Sequence, residues 1–129
     1  MISGTDFTIK DADFVIAACR GLRPGVADAS EIEEIRAQCA SEQALCLSCE
    51  DGFFVVELRP QGDVLELFVW IAVAFKHGFY ERQDAALDLI GRDLGADQVA
   101  FQSRRRGWGR HLAPAWRRRG SDEFVRQLR

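Results

Sequence analysis

The segment VLELFVWIAVAF, Val64–Phe75, constrains the fold more than any other part of this 129-residue chain. Residues on both of its alternating faces are apolar, and Glu66 is the one charged interruption. A strand of this kind is typical of the centre of a sheet that is covered on both sides. At 12 residues the run is too short for a membrane span, which needs about 20. We therefore predict a central strand with Leu67, Val69 and Ile71 buried.

The segments around this strand alternate between helical and extended patterns. Residues 51–60 predict a strand that pairs with the central one through a turn at residues 60–63. Helical stripes occupy residues 11–24, 30–40 and 81–96, and a fourth helix is predicted over 104–120. Short strands are predicted at 7–10, 98–103 and 122–129. The order predicts one α/β (α+β) domain over residues 1–129, with helices covering a mixed sheet.

Charge is divided unevenly along the chain. Residues 104–129 carry nine arginines against two acidic residues, whereas the whole chain has a net charge of −3. Such a division predicts either an anionic partner for the C-terminal part, or oppositely charged surfaces that meet in a homodimer. It is equally consistent with two parts of one domain neutralising each other. The acidic N-terminal stretch lacks the apolar core of a signal peptide, which favours a cytoplasmic protein without a membrane segment.

Cys46 and Cys49 form an isolated C-x-x-C pair, and the other cysteines, Cys19 and Cys39, lie far from it in sequence. Structural zinc sites usually combine two such pairs, and the surrounding LCLSCEDG does not read as a strand followed by the start of a helix. The pattern favours free, mostly buried thiols and no metal site.

The second half of the chain resembles a known family. A buried strand, a loop, an amphipathic helix ending in LGA, a strand and a further helix ending in glycine resemble the GCN5-related N-acetyltransferase (GNAT) fold. The stretch DLGADQVAFQSRRRGWGRHLAPAWRRRG is similar to the segment that runs from the end of that family's third helix through its fourth. The front segment, ACRGLRP followed by ASEIEEIRAQC, resembles the helical start of GNAT-like proteins encoded by phages and prophages.

This resemblance, over about residues 14–128, implies a mixed, mainly antiparallel central sheet covered by helices on both faces. It also implies acetyl-CoA as a cofactor and an amine as the acyl acceptor. The family holds the pyrophosphate of the coenzyme in a loop patterned R/Q-x-x-G-x-G/A, where glycines let backbone N–H groups approach. In the matching loop, FKHGFYERQD, the resemblance assigns cofactor contacts to Lys76, His77, Gly78 and Phe79.

The loop departs from the family pattern in ways that predict weak binding of coenzyme A, or none. It has one glycine, Phe79 and Tyr80 stand where the family has small residues, and Glu81 adds negative charge. Family members often use a tyrosine four residues before the last helix's closing glycine as the acid, but that position holds Trp116, which has no comparable acid chemistry.

Three residues are the candidates for catalysis. Tyr80, the only tyrosine, lies in the predicted loop. The two acids to test as the base for the amine are Glu57 and Glu66, on the two middle strands. Glu66 has a second interpretation, since a glutamate in an apolar strand also marks the point where the strand emerges into solvent.

The arginine-rich stretch SRRRGWGRHLAPAWRRRG divides into two parts. Arg117, Arg118 and Arg119 are predicted in the last turn of the fourth helix, where cations complement the helix dipole. Arg104, Arg105 and Arg106 lie at the N-terminal side of that helix, where positive charge is unfavourable without an anion, so they are the candidate anion-binding residues.

Three functions are consistent with the sequence. The first is a phage or prophage GNAT-like N-acyltransferase with an altered coenzyme loop. The second is a non-enzymatic phage-derived module, cytoplasmic or virion-associated, that binds a virion or host protein through its basic C-terminal surface. Nucleic-acid binding ranks last, because the net charge is negative and the aromatic residues fit a core better than a stacking surface.

Overall fold

The computed structural model describes residues 4–20, 29–102, 115–120 and 122–128. The helices in these ranges are α1 (Ala12–Arg20), α2 (Ala29–Ala40) and α3 (Phe79–Asp93). The strands are β1 (Thr8–Lys10), β2 (Ala44–Cys49), β3 (Gly52–Gln61), β4 (Val64–Ala74), β5 (Gln98–Gln102), β6 (Arg117–Arg119) and β7 (Glu123–Gln127). No helix in these ranges is long and apolar enough to cross a membrane.

The strands form one sheet in the order β1-β2-β3-β4-β5-β7-β6. Every neighbouring pair is antiparallel except β4 and β5, which run parallel. The predicted mixed, mainly antiparallel sheet is therefore confirmed. Strand β4 lies in the middle of the order, and Leu67, Val69 and Ile71 are all buried as its two-sided apolar pattern predicts.

Helices cover both faces of this sheet. Because side chains alternate along a strand, neighbouring residues of β3 contribute to two separate cores. Phe54 and Val56 pack with Ile90 of α3 on one face. Phe53 and Val55 pack with Ile35 of α2 on the other face, which also receives Phe14 of α1.

The structure differs from the predicted elements in two places. No strand is predicted for ALCLSC, yet these residues form β2, which pairs along its whole length with β3. The predicted fourth helix lies mostly outside the described residues, but its last turn is wrong, because Arg117–Arg119 form the edge strand β6. Gly120 has φ +72° and opens the turn into β7. A glycine of positive φ serves a hairpin turn as well as a helix end, so its presence alone did not distinguish the two.

Candidate functional site

The middle of β4 contains a β-bulge. Val55 of β3 is opposite Ile71, but the next residue, Val56, is opposite Val69. Trp70 is therefore an extra residue in β4, and its indole N–H donates to the Glu31 carboxylate of α2 at 3.2 Å. Bulges interrupt a ladder and re-aim the backbone, so polar groups of β4 near Trp70 leave the regular pairing.

The pairing of β4 with β5 ends at the same place. Their parallel pairing runs from Glu66 opposite Gln98 to Val69 opposite Phe101. Strand β4 continues to Ala74, whereas β5 ends at Gln102. We call the β4 edge beyond Val69, on the side where β5 pairs with the preceding residues, the strand gap. In the described part of the chain, the β4 edge along this gap has no strand partner, which leaves a template for an extended ligand with amide groups.

The N-terminus of α3 lies directly after β4, at the open end of the strand gap. Gly78 is the N-cap, with φ 80°, and the first helical hydrogen bond runs from the Arg82 N–H to its carbonyl at 3.1 Å. The backbone N–H groups of the first turn therefore point towards the preceding loop, at the positive end of the helix dipole. Such a terminus is suited to an anion.

The side chains of Phe79 and Tyr80 both pack against other parts of the described structure. The Phe79 ring is fully buried and packs against Phe7 and Phe54 in the core. Tyr80 lies in the first turn of α3 instead of a loop, and its hydroxyl donates to the Ala72 carbonyl of β4 at 3.2 Å. Phe79 therefore offers only its backbone to a ligand, while the Tyr80 hydroxyl lies beside the strand gap.

Side chains of positive and of negative charge meet at the loop before α3. Lys76 Nζ lies 3.1 Å from the Glu50 carboxylate and 3.5 Å from that of Asp51. The hydrogen bond that Lys76 donates to Glu50 raises the pKa of Lys76. Arg82 lies 3.2 Å from Asp51 and donates to the His77 carbonyl at 2.7 Å. Basic groups suited to phosphate are therefore present here, and carboxylates of the β2–β3 turn contact two of them.

Glu66 lies in the paired part of β4, about 13 Å of strand away from Trp70 at 3.3 Å per residue. It is fully buried, so the interpretation that it marks a solvent-facing strand end is wrong. Its carboxylate accepts hydrogen bonds from Arg119 at 2.7 and 3.2 Å and from Gln98 at 2.8 Å. The structure therefore does not bring Glu66 to the strand gap.

Glu57 lies nearer to the bulge. It is opposite Phe68 in the β3–β4 register, two residues from Trp70, on the sheet face that carries α1 and α2. Its side chain keeps 16% exposure and forms an ion pair with Arg59, whose guanidinium lies 3.7 Å from the centre of the Phe68 ring. Of the two predicted acids, Glu57 is the one that keeps some exposure to solvent.

Sequence reasoning missed a polar cluster on the other face of the sheet. Arg126 of β7 is almost fully buried and donates to Asp88 at 2.6 Å and to Asp84 at 3.3 Å, both on α3. The Trp116 indole N–H also donates to Asp84, at 3.1 Å. Asp84 and Asp88 are four residues apart on one face of α3, and this spacing is visible in the sequence. Their partner, Arg126, is 38 residues or more away, so the pairing itself could not be predicted.

A small cavity of about 160 Å³ lies elsewhere, between β2, β3 and Leu94, the residue after α3. Its walls include Leu45, Val56 and Glu57. It adjoins the C-terminal end of α3, whereas the strand gap adjoins the N-terminal end. The predicted anion-binding residues Arg104, Arg105 and Arg106 lie outside the described residues.

Comparisons with known proteins identify the fold. No protein-family model matches the chain, and no curated protein matches it in sequence. Among solved structures, a chain of the NatC complex bound to Gag peptide and CoA matches with TM-score 0.65 and 11% identity, covering 97% of this chain and 100% of that one.

Two bacterial structures match as well. An acetyltransferase of the GNAT family from Listeria monocytogenes has TM-score 0.61 and 10% identity, over 99% of this chain and 98% of that one. A putative acetyltransferase of the GNAT family from Desulfovibrio desulfuricans has TM-score 0.58 and 18% identity, over 95% and 96% of the two chains. The fold is GNAT-like. At these identities the likeness concerns the fold, and the chemistry has to be argued from the site.

The residues fit a bound acyl-CoA in two respects. The strand gap offers a β4 edge to the amide-containing chain of the coenzyme, and the α3 N-terminus with Gly78 offers backbone N–H groups to its pyrophosphate. The fit is poorer around that terminus, where Glu50 and Asp51 contact Lys76 and Arg82.

Proposed function

We propose that the protein is an acyl-CoA-dependent N-acyltransferase. The observation that carries the proposal is the coincidence of three features: the bulge at Trp70, the parting of β4 from β5, and the N-terminus of α3 that follows β4. An extended, amide-bearing ligand with an anionic end would lie along β4 with that end towards the N-terminus of α3. The solved NatC structure, which has this fold, was obtained with CoA bound, and this supports acetyl-CoA as the cofactor.

Binding of the coenzyme is assigned to the loop after β4. The N–H groups of the first turn of α3, including that of Phe79, would hold the pyrophosphate, and Gly78 allows the backbone to turn there with φ 80°. Lys76 and His77 extend from the same loop and contribute cationic or hydrogen-bonding groups. The thioester of acyl-CoA supplies the activated acyl group.

In the transfer, a C–N bond forms to the acceptor amine and the C–S bond of the thioester breaks. One proton leaves the nitrogen, and one is delivered to the sulfur. We assign the first to Glu57, acting through water, because of the two predicted acids it is the one that keeps solvent access. We assign delivery of the second to the Tyr80 hydroxyl, which lies beside Ala72 on the gap edge. Glu66, held by Arg119, positions strands instead of taking this proton.

The binding step is tested by calorimetry with acetyl-CoA and a matched pair of glycine variants. Gly78 and Gly62 both have positive φ, 80° and 62°, so alanine strains the backbone at either site. Gly62 lies in the turn between β3 and β4, away from the loop. We expect Gly78→Ala to weaken acetyl-CoA binding about tenfold or more, as loss of a charge-assisted hydrogen bond would. Gly62→Ala is expected to leave binding unchanged.

The chemical step is tested by mass spectrometry of acetylated amines with the variants Tyr80→Phe and Glu57→Gln. Each is expected to lower kcat by about 100-fold, typical of the loss of a general acid or base, while binding of acetyl-CoA is retained. Absence of acetyl-CoA binding by the unmodified protein at millimolar ligand would refute the proposal. Phage or prophage origin, a virion or host-protein partner and a homodimer stay predictions from the sequence.

A further inference from the structure

The turn between β2 and β3 is fixed against the α3 N-terminus by its backbone. The N–H groups of Phe75 and Lys76 donate to the Asp51 carbonyl at 2.7 and 3.2 Å. Gly52 approaches β4 so closely that a Cβ there would lie 2.2 Å from the Val73 carbonyl oxygen. The side chains of Glu50 and Asp51 are therefore presented to the loop after β4 by two backbone hydrogen bonds and a close contact.

These carboxylates contact the cations that an anionic ligand would use. Asp51 lies within 3.5 Å of both Lys76 and Arg82, and Glu50 lies 3.1 Å from Lys76. Arg82 also folds back over the helix terminus: its Nη1 would lie 2.8 Å from a Cβ at Gly78, and it donates to the His77 carbonyl. The two cations are thus held around the terminus with carboxylates already bound to them.

We propose that Glu50 and Asp51 form an acidic latch that sets the affinity of the α3 N-terminus for a pyrophosphate-bearing ligand. The carboxylates compete with the ligand's phosphates for Lys76 and Arg82, so binding requires their displacement. With Glu81 in the first turn of α3, three carboxylates surround two cations, which makes the terminus net negative when Glu50 and Asp51 are ionised. This inference rests on the proposed function, because it concerns the same loop.

The latch makes a prediction opposite to that of an ordinary binding residue: its removal tightens binding. We expect Asp51→Asn to lower the Kd for CoA by about 3–10-fold, because two partly exposed ion pairs are lost from the unbound state. Glu50→Gln is expected to lower the Kd for CoA by about 2–5-fold, and the variant with both substitutions is expected to lower it most. The difference from the unmodified protein should shrink as salt increases.

Two controls separate the latch from general effects. Asp63→Asn and Glu34→Gln change the net charge of the chain equally at exposed sites outside this loop, and they should leave the Kd within about twofold. Folding is checked by thermal denaturation. Asp51→Asn keeps the backbone carbonyl that accepts from Phe75 and Lys76, so the turn keeps its backbone hydrogen bonds. The Glu50 side chain is 84% exposed, so we expect Glu50→Gln to leave the folding unchanged.

Calorimetry with two probes, CoA and inorganic pyrophosphate, distinguishes the latch from the function. If the unmodified protein binds CoA and neither variant binds more tightly, the latch is refuted and the function stands. If none of the proteins binds CoA but the variants bind pyrophosphate more tightly, the function fails and the latch stands. Failure of every protein to bind either probe at millimolar concentration refutes both.

Discussion

Arg119 of the edge strand β6 donates two hydrogen bonds to Glu66 of β4, at 2.7 and 3.2 Å, although β5 and β7 lie between their strands in the sheet order. Glu66 is fully buried, whereas the Arg119 side chain is about one third exposed. Arg119 also contacts Glu123 at 3.1 Å, and its pKa is raised chiefly by the hydrogen bond to Glu66. The pair joins the C-terminal hairpin to the centre of the sheet.

The unequal burial of this pair predicts unequal effects of mutation. Arg119→Gln leaves the Glu66 charge buried without its cation and should lower the free energy of unfolding by about 3–5 kcal/mol. Glu66→Gln keeps a hydrogen-bonding side chain and leaves a cation that can turn to solvent, so its cost should be about 1–3 kcal/mol. Urea denaturation measures both. Equal costs, or a larger cost for Glu66→Gln, would contradict this account of the pair.

A second prediction concerns a strained helix end. Glu42 has φ 64° and occupies the position after α2 where a glycine is usual, because the Gln43 N–H reaches the Gln38 carbonyl and the Glu42 N–H reaches that of Cys39. A side chain costs about 1–2 kcal/mol in this conformation. Glu42→Gly should therefore stabilise the protein by about 1 kcal/mol. Glu42→Ala keeps the strain and serves as the control. If alanine stabilises the protein as much as glycine does, loss of the Glu42 charge, and not relief of backbone strain, is the cause.

The central elements could be predicted from the sequence because burial fixes their residues locally. The apolar faces of β4 required cover on both sides, and α3 showed its helical stripe through Ala86, Leu87 and Ile90. The short β2 escaped prediction, since its six residues include two cysteines and a serine and owe their pairing to β3. Strand pairing of this kind is a tertiary property.

The candidate site was predictable only in part. The loop carrying Lys76, His77 and Gly78 follows a recognisable strand, so its place at a helix N-terminus followed from order alone. The bulge at Trp70 depends on the register between β3 and β4. The contact of Asp51 with Arg82 joins residues that are 31 apart in sequence. No local pattern encodes such a relationship. The direction of the Phe79 ring, which is buried in the core, could not be predicted either, because the size of a side chain does not say which way it points.

A third prediction concerns Cys46 and Cys49. They are three residues apart in β2, so their side chains lie on opposite faces of the sheet: Cys46 packs near Ile35, and Cys49 packs in the core that includes Ile90. Burial is the main cause that raises the pKa of Cys49. Since the thiolate is the reactive form, Cys49 in the folded protein should react with iodoacetamide about tenfold or more slowly than in the urea-unfolded chain.

Mass spectrometry after timed alkylation reads each cysteine separately. An oxidant such as diamide should not join Cys46 to Cys49 while the sheet is intact, because the two side chains point apart. A Cys46–Cys49 disulfide in the folded protein, or an alkylation rate of Cys49 equal to that of the unfolded chain, would show that β2 does not hold this alternation.

The last prediction concerns the close approach of the β2–β3 turn to β4. A Cβ on Gly52 would lie 2.2 Å from the Val73 carbonyl oxygen and 3.0 Å from the Phe79 ring, and neither the backbone nor a buried ring can move away easily. Gly52→Ala should therefore cost about 3 kcal/mol or more. Gly62→Ala should cost only about 1–2 kcal/mol, since φ +62° is its one difficulty and nothing lies within 4 Å. Urea denaturation of the two variants compares a steric clash with conformational strain, and a cost for Gly52→Ala no greater than that for Gly62→Ala would mean that the turn can draw back from β4.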